Sequence, residues 1–195
     1  MLAQARDFFQ WIPNAHIKFP TTAAGLMAGG VAVKEGVRVN MTLCFSQAQA
    51  AAVHAATLGA ARGQVFLSPF VGRLDDIGQN GMDLIANILR MYADGDHHVE
   101  VLAASVRTLP HFLEALRLSS DIVTLPLSVL RQWKETGMRV PDASYRYDAR
   151  GLTPLPYETI DLTADWREYT IEHGLTDKGV KKFSDDWNAL VIHHQ

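Results

Sequence analysis

From about residue 16 the chain repeats one plan five times: a short β-rich run, a stretch of Gly, Ser, Pro or Thr, then an apolar segment at helical spacing. Such alternation predicts parallel strands joined by helical crossovers. Because those crossovers are right-handed, the helices must lie outside the sheet. The first run is His16 to Pro20, with Thr21 and Thr22 as cap candidates for a helix over Ala23 to Lys34. The second, Val37 to Phe45, alternates almost strictly: Val37, Val39, Met41, Leu43 and Phe45 share one face, and Arg38, Asn40, Thr42 and Cys44 the other. Ser46 then caps an alanine-rich helix to about Leu58. The third run, Gln64 to Phe70, leads through a loop, Val71 to Asp76, to a helix over Gly81 to Tyr92. The fourth is Val99 to Ser105 with a helix over Pro110 to Leu118, and the fifth is Asp121 to Leu125 with a short helix after Pro126.

A doubly wound sheet packs both faces on helices and wants apolar central strands, whereas a barrel strand places polar groups in the lumen near its C-terminal end. Lys18, Asn40, Thr42, Ser68 and Ser105 all sit late in their strands, which favours the barrel. A closed barrel needs eight strands and about 250 residues. The expectation is therefore an α/β chain forming an incomplete TIM (β/α)8-type barrel, with five C-terminal βα units plus a C-terminal helix. Residues 1 to 12 read as a helix before the first visible strand, since Ala5, Phe8, Phe9 and Ile12 share a face. Within a single domain over 1–195, residues 1–133 carry the βα units. Residues 134–173, rich in Pro, Tyr, Asp and Arg, form a loop or extension, and 174–195 a helix whose Val180, Phe183, Trp187 and Leu190 dock on the barrel.

Apolar residues make up 48% of the 195, enough for one core, and the net charge of −3 gives no electrostatic footprint for nucleic acid or an anionic membrane. The first residues lack a secretory h-region, and no run approaches the ~20 apolar residues of a membrane span. Cys44 is the single cysteine, so neither an internal disulfide nor a thiolate cluster can form, and a cytoplasmic location fits. The adjacent pairs His97–His98 and His193–His194 lack helical i, i+4 spacing, so no metal is expected. Gly29–Gly30 lies inside a helical stretch and is no dinucleotide fingerprint, and no cofactor is implied.

Lys18, between Ile17 and Phe19, is the chemically suggestive residue. A lysine buried in an apolar strand has a lowered pKa and can offer a neutral amine to a carbonyl, which is how a Schiff-base lysine is made. The alternative is a lysine that snorkels to the strand end or pairs with a carboxylate. Asn40 and Thr42 share a phase and can face one cavity, either bonding a substrate hydroxyl or forming a satisfied polar layer. Ser68, Arg73, Ser105 and Arg107 end adjacent strands with hydroxyls and guanidinium groups, which suit a phosphate. Arg73 can instead bridge to Asp75 or Asp76.

The motifs Ile17-Lys18-Phe19-Pro20-Thr21-Thr22-Ala23-Ala24-Gly25-Leu26, Val39-Asn40-Met41-Thr42-Leu43-Cys44-Phe45-Ser46 and Ser68-Pro69-Phe70-Val71-Gly72-Arg73-Leu74-Asp75-Asp76 together resemble the transaldolase family. Ala103-Ala104-Ser105-Val106-Arg107 and Leu175 to Phe183 agree, so the match covers about residues 12 to 133 and 174 to 190 in the family's order. The resemblance implies a class I aldolase-type barrel that moves a dihydroxyacetone unit between sugar phosphates through a covalent imine, in the manner of the pentose phosphate pathway and without metal. It makes Lys18 the Schiff-base residue, with Asn40 and Thr42 around it. Arg73, Ser105 and Arg107 match positions that hold the acceptor phosphate, and Ser68 and Phe70 line the same pocket. Phe70 stands where the related fructose-6-phosphate aldolases usually carry a tyrosine, which favours transfer over release of the free ketone.

The family's acidic residues on its first and third strands, and an asparagine after its second, belong to a stretch before the point where this sequence starts to match. The chain thus reads as N-terminally truncated. Without those groups proton transfer is impaired. The alternative to a transferase is a catalytically impaired barrel fragment that assembles with a second copy through its open edges or only binds sugar phosphates.

Overall fold

The structure, a computed structural model, describes residues 1–149 and 151–192. The pair His193–His194 lies outside the described residues. A first helix, α1 (Leu2–Phe9), precedes four strand–helix units: β1 (Ile17–Pro20) with α2 (Ala23–Lys34), β2 (Val39–Cys44) with α3 (Gln47–Ala56), β3 (Val65–Pro69) with α4 (Val71–Asp75) and α5 (Gly81–Tyr92), and β4 (Val99–Ala103) with α6 (Leu109–Arg117). A two-residue β5 (Ile122–Val123) leads to α7 (Leu127–Glu135), and α8 (Gly174–Ile192) is the last element of the described residues.

All pairings are parallel and the sheet order is β1-β2-β3-β4-β5. A doubly wound sheet reverses its order at a switch point, whereas strands that follow one another in sequence trace the arc of a barrel. Lys18 pairs with Asn40, Asn40 with Phe66 and Phe66 with Glu100, so these four form one row across the inner face. On the other face Phe19, Val39, Met41, Val65, Leu67 and Val101 are buried beneath the helices.

Three of the helices, α2, α3 and α6, start where a short polar side chain satisfies an otherwise orphaned backbone N–H. Thr22 accepts from Gly25 N at 3.2 Å, Ser46 from Gln49 N at 3.1 Å and Thr108 from His111 N at 3.3 Å. Gly25 is required for a further reason: a Cβ there would lie 1.9 Å from the Pro20 carbonyl oxygen. Only a glycine lets the first turn of α2 rest on the end of β1, and this contact fixes the strand that carries Lys18.

Four details depart from the sequence reading. The first helix stops at Phe9, short of residue 12, and Ile12 is exposed; Ala5 is buried and Phe9 lies under the Arg38 guanidinium, 5.0 Å from ring centre to Cζ. The strict alternation of the second strand fails at Leu43, whose φ of 62° coincides with a register shift between Thr42 and Cys44. That left-handed turn sends the Leu43 side chain onto α8, where a Cβ on Gly179 would sit 2.6 Å from Leu43 Cδ2. Residues 71–75 are helical, because α4 stacks its first turn on the tip of β4: Val71 N and Gly72 N donate to Ala104 O and Ser105 O at 3.0 and 3.1 Å. Finally, α8 docks through its N-terminal part alone. Thr176 and Gly179 are buried and Val180 packs on the core, but Phe183, Trp187 and Leu190 are 42%, 63% and 61% exposed.

Among the described residues, the segment between α7 and α8 holds a single 3₁₀ turn, Trp166–Glu168, and otherwise no helix or named strand. It is strapped to the body: Asn80 N donates to Thr153 O and Thr153 N to Gly78 O, each at 2.8 Å, and Glu158 N reaches Gln47 Oε1 at 2.8 Å. These bonds carry the chain from α7 back across α5 and α3, so that α8 returns over the C-terminal ends of β1 and β2. No helix among the described residues is long and apolar enough to cross a membrane.

Candidate functional site

Lys18 lies mid-strand on β1, the edge strand, and points to the inner face. It opens into a cleft of about 260 Å³ whose other walls are Thr42 and Leu43 at the tip of β2 and Val180, Phe183 and Ser184 of α8. The sequence expectation that water is excluded from this amine is not met. Lys18 is exposed, because β1 has a neighbour on one side only and α8 covers the cleft from above without sealing it. Its amine forms neither a hydrogen bond nor an ion pair with the described residues, so it neither snorkels to a carboxylate nor is tied to one.

Asn40 and Ser68 meet directly: Ser68 Oγ donates to Asn40 Oδ1 at 2.6 Å, and both side chains are buried. Thr42 Oγ1 is also buried and has no hydrogen-bond partner. Leaving a buried hydroxyl unpaired costs about 1–3 kcal/mol, and a site for polar chemistry is one place where that cost is tolerated. In the same row as Asn40, Phe66 is stacked by His16 at 4.0 Å, and Glu100 is drawn towards Arg62 at 3.5 Å.

The two arginines have different surroundings. Arg73, on α4, places its guanidinium 5.2 Å from the Phe70 ring centre and 5.5 Å from that of Phe183, without a carboxylate partner within ion-pair distance among the described residues. Phe183 therefore joins the Lys18 cleft to Arg73. Arg107 instead lines a neighbouring cavity of about 350 Å³ with Asp75, His111 and Tyr147. Its fork is already filled by Asp76, at 2.5 and 2.8 Å. The ion pair read from sequence for Arg73 is thus made by Arg107. That guanidinium, through its hydrogen bonds first, holds the Asp76 carboxyl below the usual carboxylate range.

Gly72 permits this arrangement, since a Cβ there would lie 2.5 Å from Arg107 Nε. Ser105 adopts φ of 56°, and its carbonyl anchors Gly72. Cys44, at the end of β2, takes no part: burial pushes its thiol up to about 12, so it stays protonated.

Two polar groups that sequence spacing did not single out hold α8 in place. Gln49, fully buried on α3, accepts from Phe45 N at 2.7 Å and donates to Ile171 O and Thr176 Oγ1 at 2.9 and 2.8 Å. Thr176 Oγ1 then donates to Leu43 O at 2.9 Å. The only sequence signal was a glutamine in an alanine-rich helix.

His173, just before α8, stacks on Phe45 at 5.2 Å and accepts a bond from Leu175 N at Nδ1, 3.2 Å away. Burial lowers its pKa from the ordinary value of 6.5, and Asp177 opposes this only in part. The folded state thus binds fewer protons here than the unfolded one, so this contribution to stability is complete above about pH 6.5 and is lost as the pH falls. Amide exchange in the first turns of α8 is expected to quicken between about pH 7.5 and pH 5.5 beyond its intrinsic pH dependence, and His173→Gln is expected to flatten that change.

The molecule is a parallel α/β arc of the (β/α)8-barrel type, with Lys18 and Asn40 each second in its strand, earlier than the sequence reading put them, and with hydroxyl and guanidinium groups beyond them at and after the C-terminal ends of the strands. The family model described as Transaldolase/Fructose-6-phosphate aldolase matches residues 1–193. The chain is 37% identical over 190 residues to a probable transaldolase of Dehalococcoides mccartyi and 38% identical over 190 residues to one of Anaeromyxobacter sp. (strain Fw109-5), covering 97% of this chain and 68% of each relative. A probable transaldolase of Brucella ovis is 37% identical over 187 residues, covering 96% of this chain and 66% of the relative. The chain belongs to the transaldolase/fructose-6-phosphate aldolase family.

Proposed function

We propose that the chain forms a covalent imine between Lys18 and the ketone of a sugar phosphate and transfers the resulting three-carbon unit as a transaldolase does. The neutral amine attacks the C2 carbonyl, and water leaves as the imine forms. The protonated imine then accepts the electron pair of the C3–C4 bond as a base removes the C4 hydroxyl proton. An aldose phosphate departs, and a second aldehyde takes up the three-carbon unit by the reverse steps. Asn40 and Thr42 would bond the carbinolamine and substrate hydroxyls, Ser68 orients Asn40, and Phe70 and Phe183 form the apolar wall. Arg73 would take the phosphate, with Ser105 and Arg107 extending that site.

One observation carries this reading: a lysine amine unpaired among the described residues opens into a cleft whose apolar wall, Phe183, also seats an arginine with no carboxylate partner among them. Incubation with fructose 6-phosphate and borohydride should leave one adduct on the Lys18 peptide by mass spectrometry. A folded chain that gives no adduct overturns the proposal.

The cleft walls supply no carboxylate or imidazole for proton transfer. That observation favours a second reading, an imine-forming sugar-phosphate binder with little turnover. Positioned acid–base groups typically contribute about 10²–10⁴ in rate. Efficient trapping combined with transfer slower by about that factor than in a full-length transaldolase would distinguish it.

The state of Arg107 gives a further expectation. Asp76 occupies its fork in an exposed pair, and such pairs are worth about 1 kcal/mol or less. Asp76→Asn is expected to release the guanidinium and lower the fructose 6-phosphate concentration for half-maximal trapping by up to about fivefold. Trapping of unphosphorylated dihydroxyacetone should not change, and an equal shift for both sugars would place Arg107 outside the phosphate site.

A further inference from the structure

Where β4 begins, three donors converge, two of them from one loop and the third from a helix distant in sequence. His54 sits in the last turn of α3, and Asp96 and His98 come from the loop between α5 and β4. In that loop His97 takes a left-handed conformation, φ 58°, between an exposed Asp96 and a His98 that is buried beneath α3. One donor atom from each of the three lies within 4.8 Å of the others.

Hydrogen bonding fixes the chemistry of this cluster. The Thr57 hydroxyl gives its single proton to Val53 O at 2.7 Å. In that arrangement it is an acceptor towards His98 Nε2, 3.0 Å away, and Nε2 carries the proton. In the neutral ring this leaves Nδ1 with a lone pair, and Nδ1 is in contact with Asp96 Oδ1. Two lone pairs cannot face each other without a cation between them.

His54 adds a third donor: its Nε2 is 3.3 Å from the same carboxylate oxygen, the residue is 6% exposed, and neither ring nitrogen has a hydrogen-bond partner. A proton can bridge Asp96 to one ring. A divalent ion satisfies the carboxylate and both rings together.

We propose that His54, Asp96 and His98 form a binding site for a divalent first-row transition ion, Zn²⁺ foremost, that pins α3 to the loop preceding β4. Two imidazoles and one carboxylate are the donor set of such borderline ions, whereas Mg²⁺ and Ca²⁺ want oxygen throughout. Bonds of about 2.0–2.2 Å to a tetrahedral ion require donors a little over 3 Å apart. The His54–Asp96 separation already meets this, and Asp96, on an exposed loop, needs to move from His98 by less than about 1 Å. Thr57 is the outer partner that holds the His98 tautomer. A water completes the fourth position, and the site lies apart from Lys18 and its cleft.

The test uses the full chain, stripped with chelator and carrying His193→Ala and His194→Ala so that the C-terminal pair cannot compete. Titration with Co²⁺ near neutral pH should give one equivalent with the strong visible absorption of a tetrahedral ion, and Zn²⁺ should displace it. Asp96→Asn, at an exposed position that the fold tolerates, should weaken binding at least tenfold, and Thr57→Val by roughly 10–100-fold. His54→Gln should abolish the tetrahedral spectrum. If the chain retains its native circular dichroism but takes up neither ion, or binds Co²⁺ equally well with Asp96→Asn, a proton alone bridges Asp96 and His98 and the proposal is wrong.

Discussion

A chain carrying Lys18→Arg is expected to lose borohydride trapping completely while unfolding at the wild-type urea concentration. The two halves of this result have separate causes. An imine needs a nitrogen that can shed its proton and lose two hydrogens to a carbonyl, and a guanidinium with a pKa above about 12 does neither under these conditions. Charge, length and hydrogen-bonding capacity are otherwise kept. The stability half follows from the environment of Lys18: it is exposed, and among the described residues it has no ion-pair or hydrogen-bond partner to lose. Substitutions at such positions usually stay within about 0.5 kcal/mol. Should the arginine variant unfold early, Lys18 has a structural part, and loss of the adduct would no longer report chemistry alone. Should it keep the adduct, the imine forms on another amine and the site assignment fails.

What the local sequence carries about this site, and what it does not, turns on range. The boundaries of α2 and α5 follow from local patterns, a cap followed by an apolar run, and fall where the pattern puts them. Asn40 and Thr42 on one face of β2, and Lys18 beside Asn40, follow from the two-residue period of a strand and from parallel pairing. The phase breaks at Leu43 because its left-handed turn is imposed by contact with α8, more than 130 positions away along the chain, and no local pattern carries that information.

The exposure of Lys18 is not carried by local sequence for the same reason. Lys18 sits between apolar neighbours, but whether water reaches it depends on what stands beside β1 and how closely α8 closes over it. Likewise Arg107 rather than Arg73 took Asp76 because the first turn of α4 lies on the tip of β4, bringing Gly72 against Arg107. The His54, Asp96 and His98 cluster was invisible to spacing rules, since its members come from a helix end and a distant loop. A search for paired histidines finds only His97–His98 and His193–His194.

Gln49→Leu is expected to produce the largest loss of stability of the changes considered, and to do so by releasing α8. The side chain is fully buried and serves three segments: the Phe45 amide at the turn after β2, the Ile171 carbonyl before α8 and the Thr176 hydroxyl within it. Leucine fills similar volume but leaves Phe45 N–H and Ile171 C=O without partners in a space closed to water. Each orphaned group costs about 1–3 kcal/mol, so a total of roughly 3–5 kcal/mol is expected, read as a lower urea midpoint.

The loss should be uneven. The core under the sheet, where Val39, Met41 and Leu67 pack, keeps its contacts. By contrast α8, much of it exposed beyond Val180, depends on this hub together with Leu43 and Gly179. Hydrogen exchange should therefore accelerate first in residues 174–180, before β2 or β3. Because α8 supplies Phe183 to both the Lys18 cleft and Arg73, trapping by fructose 6-phosphate should weaken in the folded variant more than trapping by dihydroxyacetone, which has no phosphate to position. Uniform acceleration across the sheet would mean that Gln49 supports the core at large, and α8 would then be held by its apolar contacts alone.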